Sequence, residues 1–294
     1  MSAHCGFVAL AGRPNVGKST LVNALAGGKV AAVSDRPQTT RRAIRGVRTS
    51  GDRQMVLVDL PGVQRPRDLL TARMAGRVRQ ELEEADAVLM MVAADQTVGA
   101  GDRYIARTLE ASGRPVTVAV NKIDRLKRPQ VAAALQAAAE LGVGDAIFPI
   151  SARRGTGVAE LAQHLGALLP EGPFLFEPDQ RSDQPLELAL AELIREAVVR
   201  RTFQELPHAA EVVVEEMEHA PSGLVRVQAL VWVETDSQKA IVIGAQGRKI
   251  KAIGTAARRD LEAELGARVH LDLAVRTRRG WRGDAALLDR LGIN

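Results

Sequence analysis

A glycine-rich stretch near the N-terminus limits the possible folds of this chain more than any other feature of its sequence. The stretch reads "GRPNVGKST" at residues 12–20 and fits the pattern Gly-x4-Gly-Lys-Ser. It follows an apolar run, "CGFVALAG", that is typical of a buried strand, and it opens a predicted helix. In such a unit the glycines let backbone N–H groups curl around phosphates, and the helix N-terminus adds its positive end. The stretch therefore predicts an α/β fold with a phosphate site after the first strand.

Two side chains of this loop have the chemistry to act on a triphosphate. Lys18 can reach the β- and γ-phosphates and is a candidate catalytic residue, and the Ser19 hydroxyl can ligate Mg²⁺. We expect the other nucleotide contacts of the loop to come from Gly12, Asn15, Val16, Gly17 and Thr20.

Short apolar runs alternate with longer amphipathic ones from about residue 5 to residue 169. The strand-like runs are "CGFVALAG", "QMVLVD", "DAVLMMVA", "PVTVAV" and "AIFPI". This order indicates βα units and a mostly parallel sheet with helices on both faces. An extra strand, "AIRGVRTS", precedes "QMVLVD" across a Gly-Asp turn, and it predicts a hairpin at the sheet edge.

The motif "VLVDLPG" (56–62) ends a predicted strand with a carboxylate. Asp59 can hold magnesium through water, and the Gly62 N–H can meet the γ-phosphate. We therefore assign Asp59 to the metal indirectly and Gly62 to nucleotide binding and catalysis.

The motif "NKID" (121–124) selects the base. The Asp124 carboxylate can accept hydrogen bonds from the N1–H and N2 amino group of guanine, a pair of donors that adenine lacks. Asn121 can bond the base edge, and Lys122 can lie along its face.

A fourth motif, "ISARRG" (150–155), ends the following strand, and we assign Ser151 and Ala152 to nucleotide binding, with the Ala152 N–H able to bond the guanine oxygen. All four motifs occur in order at predicted strand ends, where a sheet of this kind binds nucleotides. Together they predict a guanine-nucleotide site in a P-loop GTPase domain over residues 1–170.

The loop "AAVSDRPQTTRRA" (31–43) resembles a first switch, in which a threonine would coordinate Mg²⁺ and sense the γ-phosphate. Thr39 and Thr40 both qualify, and we favour Thr40 as metal ligand and catalytic residue. Val63 stands where many regulatory GTPases carry a glutamine that orients the attacking water, so slow intrinsic turnover is expected. The Asn15 amide oxygen is a candidate for seating K⁺ beside the phosphates.

The pattern breaks at "PEGPFLFEPDQRSDQP", which contains four prolines and predicts a linker over 171–184. Beyond it, predicted elements in the order α-β-β-α-α-β form a smaller α+β domain over 185–294. Its predicted helix pair encloses Gly244-Ala-Gln-Gly247, followed by lysines and arginines, and no Asp or Glu occurs from 237 to 259.

A K-homology (KH) fold uses such a Gly-x-x-Gly loop to let a nucleic-acid backbone approach two helix ends. The second domain as a whole is close to neutral, so the lysines and arginines of residues 237–259 form a local basic surface that suits one nucleic-acid binding site. We therefore predict RNA contacts from Gly244, Ala245, Gln246, Gly247, Arg248, Lys249 and Lys251. Trp232 is expected to be core or sheet surface, whereas Trp281 can either pack or touch RNA.

Composition restricts the location and the partners. Cys5 is the single cysteine, which excludes an internal disulfide and favours a reducing compartment. The N-terminus lacks a signal-peptide pattern, and the longest apolar stretch, residues 87–94, is too short to span a bilayer. The net charge of +5 permits an anionic partner. We expect a cytoplasmic monomer, and we assign no metal ligands among the five histidines.

The combination of "GRPNVGKST", "RPQTTRR", "DLPG", "NKID", "SARRGTG", "IVIGAQGRKIKAIG" and "VHLDLAVRTRRGWRGDAALLDRLG" resembles the bacterial Era family of ribosome-associated GTPases over nearly the whole chain. The resemblance implies a type II KH domain that binds 16S ribosomal RNA near its 3′ end, and a role in 30S subunit maturation. It also implies peripheral contact with the inner face of the membrane. Leu60 departs from the family, which usually has threonine there.

Two other functions remain open on the residues alone. A tRNA-modification GTPase has a similar nucleotide domain but would need an additional helical or modification domain. An RNA-binding module with GTP as a structural ligand would not need Lys18, Thr40 and Asp59 together.

Overall fold

The computed structural model describes residues 2–33, 43–62, 68–202 and 209–293, which divide into two units. The first unit comprises residues 2–31, 43–62 and 71–183. The second comprises residues 184–202 and 209–293, and the short segments 32–33 and 68–70 are grouped with it.

A sheet forms the centre of the first unit. Within the described residues its strands are β1 (His4–Gly12), β2 (Ile44–Ser50), β3 (Arg53–Asp59), β4 (Ala87–Ala93), β5 (Val116–Asn121) and β6 (Ala146–Pro149). Their order across the sheet is β2-β3-β1-β4-β5-β6. The strands pair in parallel except β2, which pairs antiparallel with β3 and lies at the edge. The predicted mostly parallel sheet with an edge hairpin is confirmed.

Helices cover both faces of this sheet, because successive strand residues point to opposite sides. The helices are α1 (Lys18–Ala26), α2 (Leu69–Glu84), α3 (Ala100–Glu110), α4 (Arg128–Ala139) and α5 (Val158–Ala167). In β1, Val8 and Leu10 pack into the core formed with α1 and α5, whereas Ala9 and Ala11 pack into the core formed with α2 and α3. Burial on both faces explains why these strands read as continuous apolar runs.

Residues 171–183, which we call the strap, follow α5 and lie along the hairpin and β1. A β-bridge joins Glu171 to His4, and another joins Ser182 to Gly46. The predicted linker at 171–184 therefore has most of its length hydrogen-bonded to the first unit, and the unit boundary falls after Asp183.

The second unit contains α6 (Leu186–Arg201), β7 (Glu211–His219), β8 (Leu224–Val233), α7 (Asp236–Ile243), α8 (Arg248–Leu265), β9 (Arg268–Thr277) and a short α9 (Ala285–Arg290). Strand β8 is central, antiparallel to β7 and parallel to β9. One core joins apolar residues of α6 and α8 to the inward residues of all three strands. The order α-β-β-α-α-β, followed by the short α9, agrees with the predicted α+β domain.

The two tryptophans are both packed. Trp281 is fully buried, and its indole Nε1 donates a hydrogen bond to the Ala209 carbonyl at 3.1 Å. The structure therefore places Trp281 in the core rather than on an RNA-binding surface. Trp232 is also buried, as expected, and the Arg278 guanidinium lies 4.9 Å from its ring centroid. Of the helices in the described ranges, none has both the length and the apolar character needed to cross a bilayer.

Candidate nucleotide site and glycine loop

The predicted nucleotide motifs meet at one edge of the six-stranded sheet. Gly12 ends β1, Asp59 ends β3 and Asn121 ends β5. Because these strands run in parallel, their carboxyl ends face the same side, which is where nucleotides bind in open α/β sheets. The structure therefore brings together residues that stand up to 109 positions apart in the sequence.

Backbone conformation in the glycine-rich loop depends on its glycines. Gly17 has φ 104°, and a Cβ at this position would lie 2.2 Å from the Asn121 Nδ2 atom. A Cβ at Gly12 would lie 2.6 Å from the Met91 carbonyl oxygen. Asn15 also has a positive φ of 65°, which asparagine tolerates better than most residues. The loop geometry therefore excludes side chains at both glycines.

Lys18 turns back over the loop that precedes it. Its Nζ donates hydrogen bonds to the carbonyl oxygens of Gly12 at 3.1 Å and Arg13 at 3.2 Å. Burial lowers the pKa of this ammonium group, while the nearby Asp59 carboxylate opposes the shift. The ammonium is thus held over the loop, where β- and γ-phosphate oxygens would be recognised.

Ser19 and Asp59 form the oxygen-rich part of the site. The Ser19 Oγ donates to the Asp59 Oδ2 at 2.5 Å, and Asp59 is fully buried. A hydroxyl and a carboxylate suit Mg²⁺, which keeps several waters and takes its other ligands from phosphates. In the part of the chain that the structure describes, no group of three or more His, Cys, Asp or Glu side chains could hold a metal ion. The Ser19 hydroxyl and the Asp59 carboxylate themselves fit a magnesium ion that takes its remaining ligands from water and phosphate.

The Asp-x-x-Gly turn lies against the glycine-rich loop. A Cβ at Gly62 would lie 2.9 Å from the Pro14 Cγ, so only glycine allows this approach. Leu60, the departure from the family pattern, is fully buried in the core. Thr39, Thr40 and Val63 lie outside the described residues, so the structure does not test their predicted roles.

Asn121 joins three of the four motifs. Its Nδ2 donates to the Val16 carbonyl in the glycine-rich loop at 2.8 Å, and its Oδ1 accepts from the Ala152 N–H at 2.9 Å. Both ends of the amide are therefore bonded to the protein. The sequence predicted Asn121 at the base edge and the Ala152 N–H at the guanine oxygen. In this structure the two groups bond to each other, and the Asn121 side chain links the glycine-rich loop to the Ser151-Ala152 segment, a link that we call the Asn121 clasp; the contacts of both groups with the base remain predictions.

Asp124 is held in its ionised form. Its Oδ1 accepts a hydrogen bond from the Ser151 hydroxyl at 2.7 Å, and the Arg154 Nε lies 3.8 Å from its Oδ2. The Ser151 hydrogen bond is the main cause that lowers the pKa of this carboxyl, and the charge of Arg154 contributes. An ionised, partly exposed carboxylate is the acceptor that paired N–H donors of guanine require. Lys122 is in the left-handed region with φ 70°, and its Nζ lies 3.5 Å from the Asp95 Oδ1.

Two contacts in this region were not found by sequence reasoning. Arg13, inside the glycine-rich loop, pairs with the buried Asp102 of α3 at 2.9 Å. Arg154 pairs with Asp124, as described above. Arg13 and Arg154 both lie within the nucleotide motifs, but no local pattern points to Asp102, which is 89 residues away.

The second predicted site is the Gly-x-x-Gly loop between α7 and α8. Gly244, Gln246 and Gly247 all have positive φ, at 70°, 52° and 72°. A Cβ at Gly244 would lie 2.7 Å from the Lys249 Cβ, whereas a Cβ at Gly247 would find its nearest neighbour, Ile250 Cγ2, at 3.9 Å. The loop therefore turns tightly at Gly244 and is open at Gly247.

Basic side chains surround this loop. Arg248 is the first residue of α8, and its Nε lies 3.4 Å from the Ala245 carbonyl. Four residues of the loop and the first turn of α8 are exposed: Ala245, Gln246, Arg248 and Lys251. A loop at the start of an 18-residue helix, with cations beside it, suits a phosphate backbone.

Comparisons with known proteins agree with both halves of this description. A family model described as 50S ribosome-binding GTPase matches residues 7–122, and a KH domain model matches residues 205–282. GTPase Era of Mycobacterium tuberculosis is 45% identical over 296 residues, covering 99% of each chain. GTPase Era of Mycobacterium avium is 45% identical over 294 residues, covering 98% of each.

Two solved structures are similar over the full length. One is a crystal structure of Era in complex with MgGDPNP and nucleotides 1506-1542 of 16S ribosomal RNA, with a TM-score of 0.94 at 34% identity and 99% coverage of both chains. The other is an Aquifex aeolicus Era variant bound to GDP and aluminium fluoride, with a TM-score of 0.92 at 34% identity and 99% coverage of both chains.

Proposed function

The chain belongs to the Era family of GTPases, and on that premise we propose that it is a GTP-controlled switch that binds 16S ribosomal RNA near its 3′ end and assists maturation of the 30S subunit. The similar Era structure in complex with MgGDPNP and 16S ribosomal RNA supports this proposal. GTP and GDP are its nucleotides, and hydrolysis resets the switch.

The clasp made by Asn121 is the observation that carries the nucleotide assignment. One side chain bonds both the glycine-rich loop and the Ser151-Ala152 segment, and Asp124 stands three residues further on in ionised form. The clasp fixes the phosphate-binding loop relative to the base-selecting carboxylate. A ligand that satisfies both must combine a polyphosphate with a guanine-like pair of donors, as GTP and GDP do.

We assign the hydrolytic machinery to Lys18, Thr40 and Gly62, with Ser19, Thr40 and, through water, Asp59 holding Mg²⁺. Magnesium supplies charge neutralisation between the β- and γ-phosphates when it is bound. Lys18 neutralises the same oxygens from the loop, and the Gly62 N–H detects the γ-phosphate. Because Val63 replaces the usual glutamine, no side chain at that position can orient water, and turnover is slow.

Asn15 is the proposed seat of a K⁺ ion that speeds hydrolysis. Its place in the glycine-rich loop supports this role, because an amide oxygen beside the phosphates is a suitable ligand for a monovalent cation. Hydrolysis rates in potassium and sodium buffers, for the parent and Asn15→Ala, test it. Equal rates in both buffers for the parent would end the proposal.

For RNA we propose contacts through Gly244, Ala245, Gln246, Gly247, Arg248, Lys249 and Lys251. The open space at Gly247 supports this, because a ribose-phosphate strand could approach the backbone where no side chain intervenes. We further propose a cytoplasmic monomer that also touches the inner face of the membrane peripherally. Sedimentation of the purified chain tests whether it is a monomer, and sedimentation with vesicles of anionic lipid tests the membrane contact.

Single-turnover GTP hydrolysis with and without 30S subunits tests the main proposal. We expect slow hydrolysis alone and a changed rate with subunits, and GTP should bind far more tightly than ATP. RNA binding should weaken in Gly247→Asp, because a carboxylate would meet the phosphates, while GTP affinity stays at the parent value. Equal affinity for ATP and GTP would contradict the assignment of the guanine-nucleotide site. Unchanged RNA binding in Gly247→Asp would contradict the assignment of the Gly-x-x-Gly loop to RNA.

A further inference from the structure

Arg45, the second residue of β2, contacts three different elements of the first unit. Its Nη1 lies 3.5 Å from the Asp183 Oδ2 at the end of the strap. Its Nη2 lies 3.4 Å from the Glu81 Oε1 on α2. Its guanidinium carbon also lies 5.4 Å from the centroid of the Phe7 ring in β1. The two terminal nitrogen atoms of the Arg45 guanidinium group therefore bond to α2 and to the strap.

These elements follow the two segments expected to respond to a γ-phosphate. Strand β2 begins directly after the predicted switch loop at 31–43, and α2 follows the Asp-x-x-Gly turn that ends at Gly62. Switch segments of this kind change conformation when the γ-phosphate is lost. Arg45 thus stands at the start of β2, directly after the first of these segments, and its partner Glu81 lies near the C-terminal end of the helix that follows the second.

The middle of the strap is anchored to the hairpin by Gln54, which is fully buried. The Gln54 Oε1 accepts hydrogen bonds from the N–H groups of Leu175 at 2.8 Å and Phe176 at 2.9 Å, and its Nε2 donates to the Phe176 carbonyl at 2.7 Å. Three hydrogen bonds to one buried amide hold this part of the strap to β3. Buried hydrogen bonds of this kind are costly to break.

The end of the strap is bonded to β2 beside Arg45. The Val47 N–H donates to the Arg181 carbonyl at 2.8 Å, and the Ser182 hydroxyl donates to the Arg45 carbonyl at 2.9 Å. The end of the strap is therefore bonded to β2 up to Ser182, and the chain enters the second unit after Asp183.

We propose that Arg45 is a positioning residue that couples the nucleotide bound in the first unit to the RNA affinity of the KH unit, by holding the last strap residue to both switch-linked elements. The proposal rests on the proposed function, because it concerns how that GTP site regulates that RNA site. A shift of β2 or α2 changes the position of Asp183 and so the geometry from which the KH unit starts.

An arginine is needed because the contacts with Glu81 and Asp183 use two different nitrogen atoms of one planar guanidinium group. Lysine carries the same charge at one point and cannot bond two separated carboxylates in fixed geometry. Loss of Arg45 also leaves Glu81 paired, since the Arg77 Nη2 lies 2.5 Å from its Oε1. Arg45→Gln therefore removes the link without leaving a buried carboxylate alone, and Arg77→Gln is the matched control that removes the other partner of Glu81.

The test measures the affinity of the full chain for the RNA fragment 1506-1542 of 16S ribosomal RNA, loaded with GDPNP or with GDP. The ratio of the two dissociation constants reports the coupling between the sites. We expect this ratio to move toward one by about threefold or more in Arg45→Gln, Arg45→Lys and Asp183→Asn, and to stay within about twofold of the parent in Arg77→Gln. The double variant of Arg45→Gln with Asp183→Asn should lose no more of the coupling between nucleotide and RNA than either single variant does.

A parent-like ratio in both Arg45 variants, with melting temperatures near that of the parent, overturns the inference. A parent that binds RNA equally in both nucleotide states overturns it too, but leaves RNA binding itself intact. If the parent binds no RNA, the proposed function fails, and hydrogen exchange across residues 171–183 decides the inference. Exchange should then differ between GDPNP and GDP in the parent and not in Arg45→Lys; identical exchange in the parent overturns it.

Discussion

Both units place a glycine with positive φ directly before a helix, yet the two glycines have different surroundings. Gly17 precedes α1, and a Cβ there would lie 2.2 Å from the Asn121 amide. Gly247 precedes α8, and a Cβ there would have no neighbour closer than 3.9 Å. The first loop is shaped by the packing of the protein around it, whereas the second is left open on the side from which a ligand can approach. A side chain at Gly17 should therefore disturb the protein packed around the first loop and, through it, nucleotide binding, whereas a side chain at Gly247 should act on the approaching ligand.

The largest effect is expected for Gly17→Ala. The added methyl would displace Asn121 and break its hydrogen bonds to Val16 and Ala152. We expect the affinity for GTP to fall at least about 100-fold and the free energy of unfolding to fall by about 2–4 kcal/mol, as for a strained and disrupted hydrogen-bonded site. Titration with a fluorescent GTP analogue and thermal unfolding measure the two changes.

Gly27→Ala is the matched control at the other end of α1. Gly27 has φ 69°, and a Cβ there would have no neighbouring atom within 4 Å, so only backbone strain opposes the change. We expect a loss of about 1 kcal/mol of stability and an unchanged affinity for GTP. If Gly17→Ala behaves like Gly27→Ala, the packing argument for the first loop is wrong.

Gly244→Ala and Gly247→Ala extend the comparison within the second loop. A methyl at Gly244 meets the Lys249 Cβ, whereas one at Gly247 meets open space. We expect RNA affinity to fall about tenfold in Gly247→Ala, since left-handed strain alone costs about 1–2 kcal/mol and about 1.4 kcal/mol corresponds to tenfold, and to fall further in Gly244→Ala, where the contact with Lys249 adds to the strain. Filter binding measures both, and an order reversed between the two variants would show that ligand approach, not loop geometry, dominates.

Lys251→Gln should have a smaller effect that is confined to RNA. Lys251 is exposed on the first turn of α8, where it can neutralise a phosphate. We expect RNA affinity to fall a few-fold at low salt and the slope of log affinity against log salt to decrease by about one. Affinity for GTP should stay unchanged, and an unaltered salt slope would remove Lys251 from the interface.

The smallest effect concerns the acid limit of GTP binding. The Ser151 hydrogen bond lowers the pKa of Asp124, so the carboxylate stays ionised to lower pH than usual. A carboxyl with a lowered folded-state pKa contributes stability above its unfolded-state pKa and loses it as the pH falls through the folded-state pKa. In Ser151→Ala the pKa should rise toward its ordinary value of about 3.9, so that GTP binding fails at a higher pH than in the parent.

Affinities for GTP in the parent and Ser151→Ala, measured from pH 7 down to the limit of folding, check this expectation. The two should agree near neutral pH and separate only in acid. Coincident curves would show that Ser151 does not control Asp124.

Local patterns in the sequence anticipated much of the site. Gly12, Lys18 and Asp59 were assigned from motifs whose backbone and charge requirements are local, and the structure places them at one sheet edge. The roles of Thr40 and Val63 remain predictions. Partners remote in sequence were not anticipated: Asp102 for Arg13, and both carboxylates that Arg45 bonds.

The strap and Trp281 show the same limit. The prolines of the strap indicated a break in regular structure, and they did so correctly, but they gave no sign that Gln54 would hold the segment. The basic neighbours of Trp281 left both packing and RNA contact open, and only the structure buried the ring.

The sequence by itself determined the order of strands and helices, the two glycine loops and the chemistry that each can perform, because apolar periodicity and the special φ of glycine act over a few residues. The tertiary structure alone decided that Asn121 bonds to two loops, that the Arg45 guanidinium bonds to both α2 and the strap, and that Trp281 lies in the core. Those outcomes depend on which surfaces pack together, and the geometry of a hydrogen bond between distant residues is fixed only after that packing exists.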